Sequence, residues 1–242
     1  MRRYGLLPDH RTDHEEYACG SVAIAPESDL RHLFPPILNQ ENIGDCTEAS
    51  GVAIRYALAK KANTPNVPVF DPIPPYVWER QHDGTFPSDA GSRLSTTAYI
   101  AETIGFPPLQ GAYNPAIYND VPAQAVQTEA AMWKIKNAVR LTSLDAILES
   151  LSMGIPPHLG ILIYESFEWF TTMRDGVVPM PGPSEKCLGC HAIVGAGHSM
   201  AKQIVTIRNS WGAQVGKQGY FDIPFDYFRS SRTFMSAWQW VV

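Results

Sequence analysis

The sequence predicts an α+β protein in which a helical lobe is encoded before a sheet lobe. Segments with helix start and stop signals begin at residues 45, 92 and 143. The strand-like runs "HLGILIY", "HAIVGAG", "QIVTIRNS" and "GYFDI" follow, separated by glycines and polar turns. Because helices come first and strands later, the order differs from the alternation that builds a parallel βαβ sheet.

The first predicted helix, "DCTEASGVAIRYALAKK", has the clearest boundaries. Asp45 is a favourable N-cap residue, and Glu48 three residues later completes a capping-box pattern. Lys60 and Lys61 suit the negative end of the helix dipole. The next two helices, "SRLSTTAYIAETIG" and "SLDAILESLSMG", end on glycine, as helices commonly do. These boundaries place Cys46 in the first turn of the first helix.

The composition is that of a globular protein and argues against two classes of partner. Of the 242 residues, 45% are apolar and 18% are charged, and the net charge is −5. Lys and Arg are scattered along the chain, so we predict no nucleic-acid partner. The most apolar window, "PPHLGILIY", is far shorter than the roughly 20 residues that span a bilayer, so we predict no membrane partner.

The first residues and the cysteine content indicate the compartment. The stretch "MRRYGLLPDHRTDHEEYACG" lacks the apolar run of roughly 7–15 residues that a signal peptide needs. The four cysteines, at positions 19, 46, 187 and 190, are too few for a disulfide scaffold. We therefore expect a reduced, cytoplasmic chain.

The stretch "KCLGCHAIVGAGH" contains Cys187-x-x-Cys190-His191, the pattern of covalent haem attachment. That attachment takes place in an exporting compartment, which this chain has no visible means of reaching. A zinc site would need two more ligands and a second close pair. The candidates for those ligands are Cys19, His14 and His198. They include no such pair, so we predict neither a metal nor a cofactor, and we expect the histidines other than His191 on the surface or in loops.

The same stretch and the run after it predict a pair of side chains. If "HAIVGAG" and "QIVTIRN" form a hairpin centred near Met200, residues whose numbers sum to 400 face each other. His191 then lies opposite Asn209. Opposed side chains in an antiparallel pair have Cβ atoms about 4.5–5.5 Å apart, which allows an imidazole–amide hydrogen bond.

Four residues together predict acyl-transfer chemistry. At the N-terminus of a helix, Cys46 is placed to form a thiolate nucleophile, and His191 can exchange protons with it. Asn209 would orient the imidazole, as the third member of a catalytic triad does. Gln40 can donate an amide N–H that, with the backbone N–H of Cys46, binds the oxyanion of a tetrahedral intermediate.

These residues lie in segments that resemble papain-like cysteine peptidases, specifically the bacterial and phage branch without a long prodomain. The matching segments are "NQENIGDCTEAS", "HAIVGAG" and "IRNSWG...GYFDIPFDYF", with a weaker lead-in, "YGLLPDHRTD...DLRHLFPPILNQ". They occur in the family's order and cover nearly the whole chain. The resemblance implies a two-lobed fold with the active-site cleft between the lobes, a peptide or protein substrate, and no cofactor or metal.

The resemblance also assigns residues around the triad. Trp211 would shield the hydrogen bond between Asn209 and His191 from water. Gly91 and Ser92 would pair with the backbone of a bound peptide, although Ser92 replaces a second glycine. Cys190 would lie near the second substrate pocket. Two further departures are Thr47, where many members have tryptophan, and Ile43, in the place of a disulfide-bonded cysteine.

For the organisation of the chain we predict a helical lobe over residues 30–120, carrying Gln40 and Cys46. Residues 1–29 and 121–242 would form the β-rich lobe with His191 and Asn209, and the two lobes together one catalytic domain. Because only 45 residues precede Cys46, either no inhibitory segment is needed or the first 30 residues lie near the cleft.

The predicted function is a cysteine-type endopeptidase that cleaves peptide bonds through a Cys46 acyl-enzyme. The alternatives are a catalytically silent structural or binding protein, such as a phage particle component, and a cell-wall peptide or isopeptide hydrolase or transferase. The setting would be a bacterial or phage-infected cell, or a virion. For Cys187 and Cys190, the readings are two ordinary thiols, a reversible disulfide that gates the cleft, or a metal or haem site.

Overall fold

The structure is a computed structural model that describes residues 4–9, 15–18, 20 and 22–242. Its helices are α1 (Cys46–Lys61), α2 (Ile73–His82), α3 (Leu94–Thr103), α4 (Gln124–Ala130), α5 (Leu144–Ser152), α6 (Phe170–Asp175) and α7 (Phe225–Arg229). Its strands are β1 (Glu16–Tyr17), β2 (Glu27–Asp29), β3 (Asn137–Leu141), β4 (His158–Tyr164), β5 (Cys187–Ser199), β6 (Ile204–Arg208), β7 (Tyr220–Pro224) and β8 (Phe234–Val241).

The described strands form one sheet in the order β1-β3-β8-β4-β5-β6-β7, and β2 pairs with the last residues of β5. Among the described strand pairs, β1 with β3 is parallel and the others are antiparallel. Strand β5 is the longest and pairs with β4 and then with β6. The α+β class predicted from the sequence is confirmed.

Helices cover both faces of this sheet. On one face α5 contributes Ile147 and Leu151 to a core that includes Ile193 of β5. On the other face α1 and α3 share a core with Trp238 and Trp240 of β8. Burial of aliphatic and aromatic side chains on both faces is the main stabilising term of such a layered fold. The packing places the N-terminus of α1, and hence Cys46, against β5.

Helices α1, α2 and α3 lie within residues 30–120, the range predicted for the helical lobe. The sheet is built from strands outside this range, including the short β1 and β2 before it. The lobe boundaries themselves stay a prediction. Within the described ranges, no helix is both long and apolar enough to cross a membrane.

The predicted capping box at the start of α1 is wrong. Asp45 is the N-cap residue, but its side chain makes no capping hydrogen bond. Instead it accepts a hydrogen bond from the Tyr113 hydroxyl at 2.9 Å. Glu48 is fully buried and faces Glu79 of α2. Tertiary partners therefore replaced the local bonds that the sequence pattern offered.

The predicted hairpin register is also wrong, by two to three residues. Val194 pairs with Arg208, and after an irregularity Gly197 pairs with Thr206. The paired numbers thus sum to 402 and then 403 rather than 400, because the turn is centred between residues 201 and 202 rather than near Met200. Asn209 lies just beyond the end of β6 and still reaches His191.

Two histidines expected on the surface or in loops are buried in strands. His158 of β4 is fully buried, and its Nε2 lies 2.6 Å from the Ser50 hydroxyl of α1. Burial lowers the pKa of His158 to about 3, so its ring is neutral. His198 of β5 is bonded between the Ser28 hydroxyl and the Ala25 carbonyl. Both rings join sheet and neighbouring segments, a structural role that the sequence did not indicate.

Candidate active site

Cys46 is the first residue of α1 and is fully buried where that helix meets β5. Burial raises the pKa of its thiol to about 12. Hydrogen bonds from the backbone N–H groups of Ala192 and Gly5 oppose this shift in part. Ala192 follows His191 in β5, so the sulfur lies against the strand that carries this histidine. In this structure the thiol is therefore neutral.

The His191 ring lies between an amide and an indole. Its Nε2 is 2.9 Å from Oδ1 of Asn209. That oxygen also accepts the backbone N–H of Ser210 at 2.7 Å, which fixes the amide with its oxygen towards the ring. Since the partner atom is an acceptor, Nε2 of His191 carries a proton.

The indole of Trp211 stacks on the His191 ring. Its ring centroid is 4.8 Å from that of His191, with 25° between the planes. Trp211 lies beyond the end of β6 and pairs with Asn39 as an antiparallel bridge. Asn209 follows β6 directly, where the chain is leaving the sheet, and so can turn its amide towards the ring. The indole is buried, as are His191 and Asn209.

Gln40 is held by the segment that carries Asn209. Its backbone N–H donates to the Ser210 carbonyl at 2.9 Å, and its side-chain Oε1 accepts from the Ser210 hydroxyl at 2.5 Å. Its Nε2 donates to the Ile43 carbonyl at 3.0 Å. The amide oxygen thus faces Ser210, and the amide nitrogen faces the loop that leads into Cys46.

Residues 4–9, here called the strap, run through the cleft across Cys46. Leu6 pairs with Ser92 as a parallel bridge, in which Ser92 donates to the Gly5 carbonyl at 2.8 Å and Leu7 donates to the Ser92 carbonyl at 2.7 Å. On the other side of the strap, Leu6 donates to the Cys190 carbonyl at 3.2 Å. The predicted peptide-binding edge thus holds a segment of the chain itself.

The side chains of the strap fit this position closely. A Cβ on Gly5 would overlap the Gly44 carbonyl, and one on Gly91, where φ is +78°, would overlap the Gly5 carbonyl. The Leu6 side chain is buried against Gly160 and Leu94. Of the two expectations for the first 30 residues, the one that places them near the cleft holds for residues 4–9.

Tyr4 anchors the start of the strap beside the histidine. Its ring makes edge contacts with His191 and Trp211, each with a centroid distance of 6.2 Å. Its hydroxyl donates to Glu168 Oε1 at 2.5 Å. The strap was not predicted in detail, although "YGLL" combines a small residue with apolar neighbours and could have suggested a strand in close contact.

Sequence reasoning missed a cluster of buried acids under the N-terminus of α1. Burial raises the pKa of Glu48 well above its usual range, and the nearby Glu79 raises it further. Burial also raises the pKa of Glu79 to about 7, although its neighbour Glu48 and the hydrogen bonds that Thr97 and Thr47 donate to it lower that pKa in part. Glu48 is therefore the protonated partner, and Asp45 has a pKa raised by burial as well.

The two cysteines of the Cys187-x-x-Cys190 motif form no disulfide with each other in this structure. Cys187 is exposed, Cys190 is half-buried, and both are free thiols. In the part of the chain that the structure describes, no three His, Cys, Asp or Glu side chains are grouped to hold a metal ion. Two of the zinc candidates, Cys19 and His14, lie outside the described residues.

Together, the fold and site define a two-lobed α+β protein with a cysteine at a helix N-terminus, packed against the strand whose histidine is hydrogen-bonded to an asparagine. The family description "Papain family cysteine protease" matches residues 91–231, more than half of the chain. The protein belongs to the papain family of cysteine proteases. The matched range contains His191 and Asn209 and begins after Cys46.

Similar proteins agree with this assignment. Xylellain, a cysteine protease from Xylella fastidiosa, superposes with a TM-score of 0.92 at 22% identity, over 99% of this chain and 96% of that one. Digestive procathepsin L 3 of Tenebrio molitor gives a TM-score of 0.73 at 12% identity, covering 95% and 74%. A peptidase C1-like protein of Acanthamoeba polyphaga mimivirus is 26% identical over 212 residues, 83% of this chain and 68% of that protein. The papain-like fold predicted from the sequence is confirmed.

Proposed function

We propose that this protein is a cysteine-type endopeptidase that hydrolyses peptide bonds through an acyl-enzyme on Cys46. The observation that carries the proposal is the His191–Asn209 hydrogen bond under Trp211, formed beside a cysteine in the first turn of α1. Membership of the papain family supports the reaction class.

The residues would act in the following order. With Nε2 bonded to Asn209, His191 takes the thiol proton at Nδ1, and the Cys46 sulfur attacks the substrate carbonyl carbon. The oxyanion is bound by the backbone N–H of Cys46 and an amide N–H of Gln40. His191 then protonates the leaving amine, and a water molecule deprotonated by His191 hydrolyses the thioester.

This chemistry requires the strap to leave the cleft. Gly5 covers Cys46, Leu6 fills a pocket, and Ser92 pairs with the strap rather than a substrate. Removing this cover returns water to the thiol, which lowers the desolvation cost of the thiolate. A substrate peptide would then pair with Ser92 beside Gly91, and an apolar side chain would occupy the Leu6 pocket, which Cys190 borders.

The covered cleft also favours a second candidate, a catalytically silent protein that keeps the site but never opens it. The experiment that separates the two is alkylation with an epoxide that targets activated thiols, mapped to Cys46 by mass spectrometry. We compare the parent protein with Leu6→Asp, which puts a charge in the apolar pocket. Leu7→Asp, the same change on the next and less buried residue, is the matched control.

An active peptidase predicts fast labelling of Cys46 in Leu6→Asp, loss of this labelling when His191→Ala is added, and new cleavage of an unfolded protein substrate. Labelling that is equally slow with and without His191 would favour the silent protein. The cytoplasmic location and the bacterial or phage setting stay predictions, since they depend on the sequence alone.

A further inference from the structure

We propose that Cys187 and Cys190 form a reversible disulfide that releases the strap and so uncovers Cys46. This inference rests on the proposed function only for its consequence, peptide cleavage. The exposure of Cys46 can be measured without it. The pair is the one conspicuous sequence motif that the site chemistry leaves without a role.

The register of β5 places the two thiols on one face of the sheet. Cys190 pairs with Leu162 of β4, and Cys187 pairs with Tyr164. Leu162 and Tyr164 are two residues apart on a strand, so they point to the same face, and residues paired with them share it. Without the irregularity opposite Ile163, cysteines three positions apart would point to opposite faces.

The spacing is suited to a disulfide that forms with strain. Neighbouring same-face positions on a strand are about 6.5–7 Å apart, and bridged cysteines have Cα atoms about 4.4–6.8 Å apart. Closing the bridge therefore pulls this part of β5 together. Cys187 is exposed to oxidants, and Cys190 is half-buried next to it. The strand is already irregular here, so it can contract at this point.

Two residues of the segment 187–190, Gly189 and Cys190, contact the strap. Leu6 of the strap donates to the Cys190 carbonyl. Tyr4 lies over Gly189, where an added Cβ would be only 2.8 Å from the Tyr4 Cβ. Contraction between Cys187 and Cys190 moves both contacts of the strap, the Cys190 carbonyl under Leu6 and Gly189 under Tyr4. From Cys190 onward β5 is paired regularly with β4, so His191 is held while the strap is not.

The oxidant is a peroxide, and the reaction balances. Hydrogen peroxide oxidises the Cys187 thiolate to a sulfenic acid and leaves as water. The Cys190 thiolate then attacks the sulfenic sulfur, the S–S bond forms, and the hydroxyl leaves as a second water. Overall the two thiols lose two electrons and two protons, and one peroxide becomes two waters. A dithiol reductant reverses the change.

The test measures alkylation of Cys46 by iodoacetamide in alkaline buffer, quantified on its peptide by mass spectrometry. Iodoacetamide reports exposure of the thiol and does not depend on His191. The protein carries Cys19→Ser, so that Cys187 has only Cys190 as an intended partner, and is compared before and after peroxide treatment. Cys187→Ser, a change at an exposed position outside the catalytic machinery, is the matched control.

We expect the peptide with Cys187 and Cys190 to lose two hydrogens. Labelling of Cys46 should rise about tenfold, as loss of the hydrogen bond from Leu6 to the Cys190 carbonyl would give. Dithiothreitol should reverse the rise, and Cys187→Ser should not show it. Disulfide formation without faster labelling would overturn the proposal, as would faster labelling in Cys187→Ser. A His191→Ala background separates the two proposals. In that background the disulfide proposal still predicts a peroxide-dependent rise in Cys46 labelling, whereas the peptidase proposal predicts no peptide cleavage.

Discussion

The two sides of the cleft are prepared to different degrees. On the sheet side, His191 already has its hydrogen bond to Asn209 and its cover of Trp211. On the helix side, Cys46 is neutral because it is buried under Gly5. Under the proposed function, the base is positioned before the nucleophile is available. Control of reactivity would then lie in the solvation of the Cys46 thiol rather than in the assembly of the triad.

The strongest test of this comparison removes the His191 imidazole on the sheet side of the cleft. In the open Leu6→Asp background, we expect His191→Ala to lower the rate of peptide cleavage by a factor on the order of 10⁴, because thiolate formation and proton return both depend on that ring. The measurement is the initial rate on an unfolded protein substrate. His82→Ala, a change of an exposed histidine, should leave the rate within error.

The oxyanion donor gives the next largest effect. Gln40→Ala in the same background should lower kcat by about 10²–10³ with a small change in KM, since the lost bond forms in the transition state. Ser210→Ala removes the hydroxyl that orients the amide but keeps the donor, so its effect should be smaller. If both variants lowered kcat equally, Gln40 would be acting through packing and not as a donor.

The next prediction concerns the helix side of the cleft, where displacement of the strap should expose Cys46. Leu6→Asp removes about 2–3 kcal/mol of apolar burial, so we expect Cys46 to be alkylated about 10²-fold faster. Leu7→Asp should change the rate far less. Equal acceleration in both variants would mean that the strap is lost by general destabilisation, and the Leu6 pocket would not be its anchor.

The smallest expected effect concerns the acids beneath α1. Glu48 has a folded-state pKa above its usual value, so the unfolded chain releases this proton at lower pH than the folded one. Stability is thus complete below the unfolded pKa of Glu48 and is lost as pH rises towards the folded pKa. Glu48→Gln should stabilise the protein by about 1–2 kcal/mol at pH 8 and by little at pH 4.

Urea titrations at the two pH values measure this difference, and Glu129→Gln, on the exposed surface of α4, is the control. A stabilisation that is the same at both pH values would contradict the assignment of the proton to Glu48.

The sequence predicted the His191–Asn209 contact but not the strand register around it. Cys46 at a helix start, and His191 and Asn209 flanking a hairpin, follow from local patterns of capping, alternation and turns. The His191–Asn209 contact was predicted correctly from an incorrect register. The turn is centred between residues 201 and 202 rather than near Met200, which shifts the pairing, and Asn209 reaches the ring from beyond the strand end.

Local patterns failed where a distant segment supplied a better partner. Asp45 and Glu48 have the spacing of a capping box. In the structure, however, the side chain of Asp45 is hydrogen-bonded to Tyr113, and that of Glu48 faces Glu79. His158 and His198 were expected at the surface because histidine usually is, but Ser50 and Ser28 give their rings buried partners. No window of the sequence contains both members of these pairs.

By itself the sequence determined the α+β order of elements, the helix that presents Cys46 and the reaction class that its motifs imply. These follow from periodicity and residue chemistry over a few residues. Only the tertiary structure decided that the strap crosses Cys46, that an irregularity in β5 brings Cys187 and Cys190 to one face, and that Glu48 is buried. Each depends on burial and backbone pairing between segments far apart in the chain, and desolvation by a distant segment leaves no mark on the local sequence.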